Sequence, residues 1–190
     1  MTRDEILSAA AQIFSQKGFH ATSMQDIAEA VNLQKASLYY HVSSKQEILV
    51  DVLDQALDLF IANMQAVMSR PLAPDEMLRQ AMQAYMTTIL KERDLASVLL
   101  LEHRSLEPEL HTRHIPRRDR FEGLWRDLIQ QGLEAGYYYS VDPAMAARAV
   151  LGVMNWVITW YSPGGKLTPE QISRQYAELF LSGLMRRGDS

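Results

Sequence analysis

Ser23-Met24-Gln25-Asp26-Ile27-Ala28-Glu29-Ala30-Val31-Asn32-Leu33-Gln34-Lys35-Ala36-Ser37-Leu38-Tyr39-Tyr40-His41 is the stretch that decides the fold of the N-terminal region. Ser23 offers the side-chain oxygen that caps a helix, and a short helix carrying Ile27, Ala28 and Val31 is predicted behind it. A second short helix is predicted over about 34–41, with Val31-Asn32-Leu33 as the turn between them. Asparagine is one of the few residues that tolerate positive φ, which such a turn requires. Leu33 can point inward and lock the pair. With a longer supporting helix beside them, two short helices joined this way form a helix-turn-helix.

The supporting helix is legible just upstream. Thr2 and Glu5 form a capping box, and Ile6, Leu7, Ala10, Ile13 and Phe14 recur at helical spacing up to a glycine stop at Lys17-Gly18. Short helices are marginal alone, so Ile6, Phe14, Ile27, Ala28 and Leu38 are expected to share one small core. Ser44 with Glu47 is a second capping box opening a long helix to about 68. Arg70-Pro71-Leu72-Ala73-Pro74 breaks the pattern, and helices are predicted over about 75–91, 94–104 and 108–135. Pro116 is expected to interrupt or kink the last of these. After Gly136 and a Tyr137-Tyr138-Tyr139 turn, Asp142-Pro143 starts an apolar helix ended by Ser162-Pro163-Gly164-Gly165. Thr168-Pro169-Glu170-Gln171 caps a final helix to about 187. No useful strand alternation appears, so the chain reads as all-α: a three-helix head joined by a long fourth helix to a helical body.

Composition narrows the function classes. With 47% hydrophobic residues among 190, a core forms without cross-links, and the absence of cysteine removes disulfides, thiolate metal sites and cysteine nucleophiles. The first dozen residues carry Arg3, Asp4 and Glu5 and no apolar run, so no secretory leader is read. The apolar stretch 144–161 contains Arg148 and Asn155, which suits a buried helix better than a membrane span. A cytoplasmic, non-membrane protein is expected. His111 and His114, near Glu107 and Glu109, match no metalloenzyme spacing and are expected on a polar surface. No phosphate-cradling glycine loop or nucleophile elbow stands out, so neither enzyme, metal site nor cofactor is expected.

The strongest signal is a resemblance. The stretch from Gly18 through Ala28 resembles the opening of the TetR family's DNA-binding domain, and the stretch from Lys35 through Lys45 resembles its recognition helix and the step into the fourth helix. The match covers about residues 1–50 in order and spacing. Asn32, Ala36 and Val42 stand where the family more often has glycine, glycine and phenylalanine, and Val42 is expected to loosen packing slightly. Thr22 and Ser23, at a helix N-terminus, suit a phosphate oxygen. The resemblance implies that Tyr40, His41 and Lys45 contact phosphates and that Gln34, Lys35 and Ser37 face base edges. Glutamine suits adenine and lysine guanine. Tyr39 belongs to the same cluster and is expected to be partly core. Residues 1–50 carry four Lys/Arg against five Asp/Glu, a net of −1, so affinity must come from a few placed groups and a shallow salt dependence is expected. The implied division is a DNA-binding head over 1–47 and a ligand-binding, dimerising body over 48–190.

In the body, the only non-hydrophobic members of 144–161 are Arg148, Gly152, Asn155 and Thr159, on one stripe, so the helix needs cover on more than one side. Ile172, Tyr176, Leu179, Phe180, Gly183 and Leu184 form another stripe. Two such helices from each of two chains would build a four-helix interface, with Val153, Trp160, Tyr176, Phe180 and Leu184 in it, and a twofold dimer would read a palindromic operator on double-stranded DNA. An effector cavity is expected among Phe60, Met64, Tyr85, Met86, Ile89, Leu100, His103, Arg104, Phe121, Trp125, Met154 and Asn155, with Trp156 a further candidate. The region from Asn155 to Thr168 resembles family members that control fatty-acid, aromatic-acid and steroid catabolism, several of which answer to acyl-CoA thioesters. Arg104, Arg113, Arg117, Arg118 and Arg120 would suit the phosphates of such a ligand. A free hydrophobic molecule is the rival effector; a helical enzyme or adaptor leaves the N-terminal motif unexplained.

Overall fold

The computed structural model describes residues 2–184, and within them helices are joined by turns and short loops. The helices are α1 (Arg3–Lys17), α2 (Met24–Ala30), α3 (Lys35–His41), α4 (Lys45–Met68), α5 (Pro74–Lys91), α6 (Arg93–Leu101), α7 (Pro108–Glu134), α8 (Pro143–Trp160) and α9 (Pro169–Leu184). A 3-10 turn, His103–Ser105, follows α6. The expected extension of the last helix over 185–187 lies outside the described residues.

Local chemistry sets the boundaries. Thr2 and Glu5 form the reciprocal box at the start of α1, and Ser23 and Asp26 do the same for α2. Gly18 ends α1 at φ +81°, and Asn32 takes φ +53° in the turn between α2 and α3. Asp142 accepts from the backbone N–H groups of Ala144 and Met145, with Pro143 in the first turn of α8. Thr168 and Gln171 cap α9 reciprocally.

Three expectations need correction. At the start of α4, Ser44 accepts from the Glu47 N–H at 3.0 Å, but the Glu47 carboxylate turns to the Ser43 hydroxyl instead of closing the box. Helix α6 stops at Leu101, short of 104, where the backbone tightens into the 3-10 turn. Helix α7 runs through Pro116 as one element, so the proline does not interrupt it. Proline removes one N–H, and because Pro116 lies on the exposed side, water can serve the carbonyl left over.

Packing divides the chain into two compact units. The first comprises residues up to Leu59 together with Glu92–Arg118; the second comprises Phe60–Lys91 and Asp119 onward. In the first, α1 packs on α2 and α6, and α2 on α3. Ile6, Phe14, Ile27, Ala28 and Leu38 are all buried, as expected, and Val42 is buried with them. Each large side chain among them contributes about 1.5–3 kcal/mol by leaving water, enough to hold two seven-residue helices that would not persist alone. In the second unit α5 packs on α9 and α8, around Leu78, Met82, Met86, Trp125, Val150 and Met154. Tyr138 is also buried here: its hydroxyl donates to the Pro74 carbonyl at 2.9 Å. Its ring lies where a Cβ on Gly132 would come within 2.0 Å of it, so only glycine fits at 132.

Candidate nucleic-acid interface and apolar cavity

Helix α3 buries a single residue, Leu38, and presents the rest of its surface outward. Gln34, Lys35, Ser37, Tyr39 and Tyr40 are all exposed, Tyr40 at 89%. Tyr39, expected to be partly core, is 47% exposed and stands with the surface cluster. The Tyr40 ring meets His41 edge to face at 5.4 Å. His41 is half-buried, and its carbonyl accepts from Arg3 at 2.7 Å. Two adjacent aromatics so exposed on a seven-residue helix form an apolar patch beside the polar groups of Gln34, Lys35 and Ser37.

The groups expected at the start of α2 are differently placed. Thr22 is buried and its hydroxyl donates to the Gly18 carbonyl at 2.8 Å, so it has no free hydroxyl for a phosphate. The Ser23 hydroxyl accepts from the Asp26 N–H and donates to the Asp26 carboxylate at 2.6 Å. Lys17 and Ser23 together hold that carboxyl far below its usual range, so a negative charge already stands at this helix end. Lys45, expected on a phosphate, donates to the carbonyls of Phe19 (2.9 Å) and Thr22 (2.6 Å) and lies 4.3 Å from the Phe19 ring centre. One of its three ammonium protons remains. Arg3 pairs with Asp51 and Lys17 with Asp26, whereas Lys35 is exposed and makes no ion pair among the described residues.

Residues outside the motif also hold the head, and sequence reasoning missed them. Glu102 accepts from the Phe19 N–H at 3.2 Å and from the Ser105 hydroxyl, which also meets His20 at 3.2 Å. The Gln46 side-chain amide donates to the Ser105 carbonyl (2.9 Å) and accepts from the Glu107 N–H (3.1 Å), as a backbone amide would. Only the chain's return through residues 102–107 brings these groups together, so no local pattern announces them.

In the second unit Phe60, Asn63, Met64, Ala81, Ala84, Tyr85, Thr88, Phe121 and Trp125 line a cavity. Phe60, Tyr85 and Phe121 pack with ring centres 4.9–5.8 Å apart, and Trp125 stands edge-on to Tyr85 at 5.7 Å. The space left is about 10 Å³, room for one water-sized sphere. The Asn63 amide donates to the Thr88 hydroxyl, which donates in turn to the Ala84 carbonyl. Burial pushes the Tyr85 phenol upward; it stays protonated and donates to Asn155 at 2.7 Å. Of the expected liners, Phe60, Met64, Tyr85, Phe121 and Trp125 come together, and Asn155 is reached through Tyr85. Met86, Ile89 and Met154 are buried in the same unit without lining the cavity. Leu100, His103 and Arg104 belong to the first unit and none lines it. Burial, with Arg104 beside it, holds the half-buried His103 imidazole below its ordinary value. Asn63, Ala81, Ala84 and Thr88 escaped the sequence reading because small or polar residues on an amphipathic helix look like its solvent side.

The arginines expected to await a phosphate are partly occupied. Arg117 pairs with Asp54 (2.7 Å) and Asp58 (2.8 Å), and Arg113 with Asp51 (3.5 Å), all acids of α4. His114, expected on the surface, is buried, with Nδ1 2.7 Å from Asp54.

Helices α8 and α9 leave a large apolar face uncovered. Met145, Trp156 and Trp160 on α8 and Leu179 on α9 are exposed, Trp156 at 66% and Leu179 at 67%. Val153, Tyr176 and Phe180 are half-buried, and Gly152 and Gly183 have open space above them. Trp156, a candidate cavity liner, therefore faces outward, and Leu184, expected in a subunit contact, is buried in its own chain. The expected polar stripe of α8 splits: Asn155 turns toward Tyr85 while Arg148 pairs with Glu122 at the surface.

Comparison with known proteins agrees with this geometry. Residues 6–52 match the family model for bacterial regulatory proteins of the tetR family, and residues 71–184 match the Tetracyclin repressor-like C-terminal domain. The chain belongs to the TetR family. Among its relatives is the HTH-type transcriptional repressor KstR2 of Mycobacterium tuberculosis, 30% identical over 98% of this chain and 94% of that one. The TetR-family regulator PfmR of Thermus thermophilus superposes with TM-score 0.87 at 39% identity, covering 96% of this chain and 100% of the other. AibR, in a crystal structure with isovaleryl coenzyme A and operator DNA, superposes with TM-score 0.87 at 28% identity, covering 93% and 96%. This TetR-family chain is thus a helix-turn-helix transcriptional regulator and not an enzyme.

Among the described residues of the head, Arg3 and Lys17 are held in ion pairs and Lys35 is not, so its charge is the simplest to test against DNA. Lys35→Ala is expected to weaken duplex binding and to reduce the slope of log K against log salt by about 1 for each bound copy of the chain. Fluorescence-anisotropy titrations across a salt series read this directly, and an unchanged slope would show that the Lys35 charge plays no part.

Proposed function

We propose that this chain acts in the cytoplasm as a homodimeric repressor that holds a palindromic operator and releases it when a hydrophobic effector, an acyl-CoA thioester, binds. In this reading residues 1–47 read the DNA and residues 48–190 sense and dimerise. The observation that carries it is the outward display of α3 and its N-cap: Gln34, Lys35 and Ser37 for base edges and Tyr40 for phosphates, over one buried anchor, Leu38. Half-buried His41 and, at the start of α4, Lys45 serve phosphates too, and Tyr39 stands in the same cluster. The uncovered face of α8 and α9 supports pairing of two copies. The aromatic cavity supports an apolar effector, and AibR's complex with isovaleryl coenzyme A supports a thioester. An effector wedged against Phe60 and Met64 would displace the C-terminal half of α4, the helix that follows the recognition helix. It shifts the equilibrium only by its differential affinity for the two arrangements. The occupation of Arg113 and Arg117 by the acids of α4 favours a second reading, a free hydrophobic molecule that needs no cationic mouth.

Selection of bound duplexes from a random pool, followed by challenge with dodecanoyl-CoA, dodecanoate and CoA, tests both readings. The expected result is a palindrome released by the thioester alone. Release by dodecanoate would install the second reading, and failure to enrich any site would overturn the proposal.

A further inference from the structure

Trp125 is fully buried, lines the apolar cavity, and its indole N–H has no hydrogen-bond partner. Native interiors rarely leave a buried donor unmatched, and one that does so at a cavity wall calls for an explanation. Every other polar liner is already engaged: Tyr85 with Asn155, Thr88 with Ala84, Asn63 with Thr88. The liners include no Lys, Arg, His, Asp or Glu. A ligand group seated here therefore meets mostly apolar walls, no charge, and a residue, Trp125, whose donor has no partner in the chain. An indole N–H can only donate, so the group it receives must be an acceptor. A carboxylate would bring a charge that no lining side chain compensates, whereas an uncharged carbonyl oxygen would not.

We infer that the Trp125 indole N–H is the anchor for a neutral carbonyl on an otherwise apolar effector, and that this cavity discriminates an acyl thioester or ketone from a free acid. The inference rests on the effector-binding reading above and adds the chemistry of the anchoring contact. With about 10 Å³ free, the ligand enters only as the rings of Phe60 and Phe121 move apart. The ligand's carbonyl then takes the one hydrogen bond that the aromatic cluster leaves unmade.

The test compares dodecanoyl-CoA with S-dodecyl-CoA, the thioether lacking the carbonyl, on the full-length chain and on Trp125→Phe. The parent chain is expected to bind the thioester about tenfold more tightly than the thioether, and Trp125→Phe to bind the two alike. In the unaltered protein, labelled with 15N-tryptophan, the Trp125 indole proton is expected to move downfield with dodecanoyl-CoA and to stay in place with S-dodecyl-CoA. That measurement holds even if the variant folds poorly. Equal binding of both ligands by the parent chain, or an unmoved indole signal, would overturn the inference and mean that the ring faces of Tyr85 or Phe121 satisfy the N–H. Binding of neither ligand would remove the thioester reading itself, and the anchor with it.

Discussion

A chain carrying Trp156→Glu and Leu179→Glu is expected to be monomeric and to bind a full palindrome about 1,000-fold more weakly than the parent, because linked sites gain about 10²–10⁴ over single ones. Both side chains are about two-thirds exposed, so glutamate at either position disturbs the chain's own core little. In a dimer the same positions would bury four carboxylates without partners, a cost far above the surplus that holds an ordinary interface together. The glycines at 152 and 183, open above, mark where a second backbone can approach closely. Sedimentation velocity would give the mass, thermal melting the integrity of the fold, and anisotropy the affinity for full and half sites. Half-site affinity is expected to be unchanged, because α3 is untouched. A variant that still sediments as a dimer would show that the subunit face lies elsewhere.

What could be read in advance follows from how far apart in sequence the interacting groups lie. The caps at Thr2, Ser23, Asp142 and Thr168, the glycine stop at 18 and the Asn32 turn each depend on residues within four positions, and each formed as expected. The small core under the helix-turn-helix was equally legible, because helical periodicity fixes which side of α1, α2 and α3 must turn inward. The partners of Lys45 and His114 were not legible, for the opposite reason. Those partners, the Thr22 carbonyl and Asp54, lie 23 and 60 residues away, and nothing local marks either pairing. The stripe on α8 shows a third limit. Periodicity placed Trp156 and Val153 on an apolar face, but only the position of the neighbouring helices decides which part of that face the chain itself covers. The same ambiguity put Leu184 in a subunit contact when its own unit buries it. Half of the cavity was visible through its aromatics, while Ala81, Ala84 and Thr88, which give the rings their room, carry no signal of their own.

Lys45→Met is expected to lower operator affinity about 100-fold in a protein that remains folded, and to do so by loosening the head more than by losing a phosphate contact. The ammonium ties two carbonyls of the segment before α2 and stands over the Phe19 ring, so three interactions disappear together. A hydrogen bond from a charged donor contributes about 1.5–3 kcal/mol, and the part-exposed setting of Lys45 reduces that, so about 2 kcal/mol of local stability is lost. Methionine keeps the apolar stem against Phe19 and removes only the charge. The carbonyl of Phe19 also accepts from the Thr22 N–H at 3.2 Å, and that turn is the one the lysine reinforces. Amide exchange at Thr22 is therefore expected to quicken by about tenfold or more, while exchange in α8 and α9 stays unchanged. If the lysine acted chiefly on DNA, the variant would instead show native protection at Thr22 and a salt slope shallower by about 1 for each bound copy. The two outcomes separate a residue that positions the helix from one that grips the phosphate backbone.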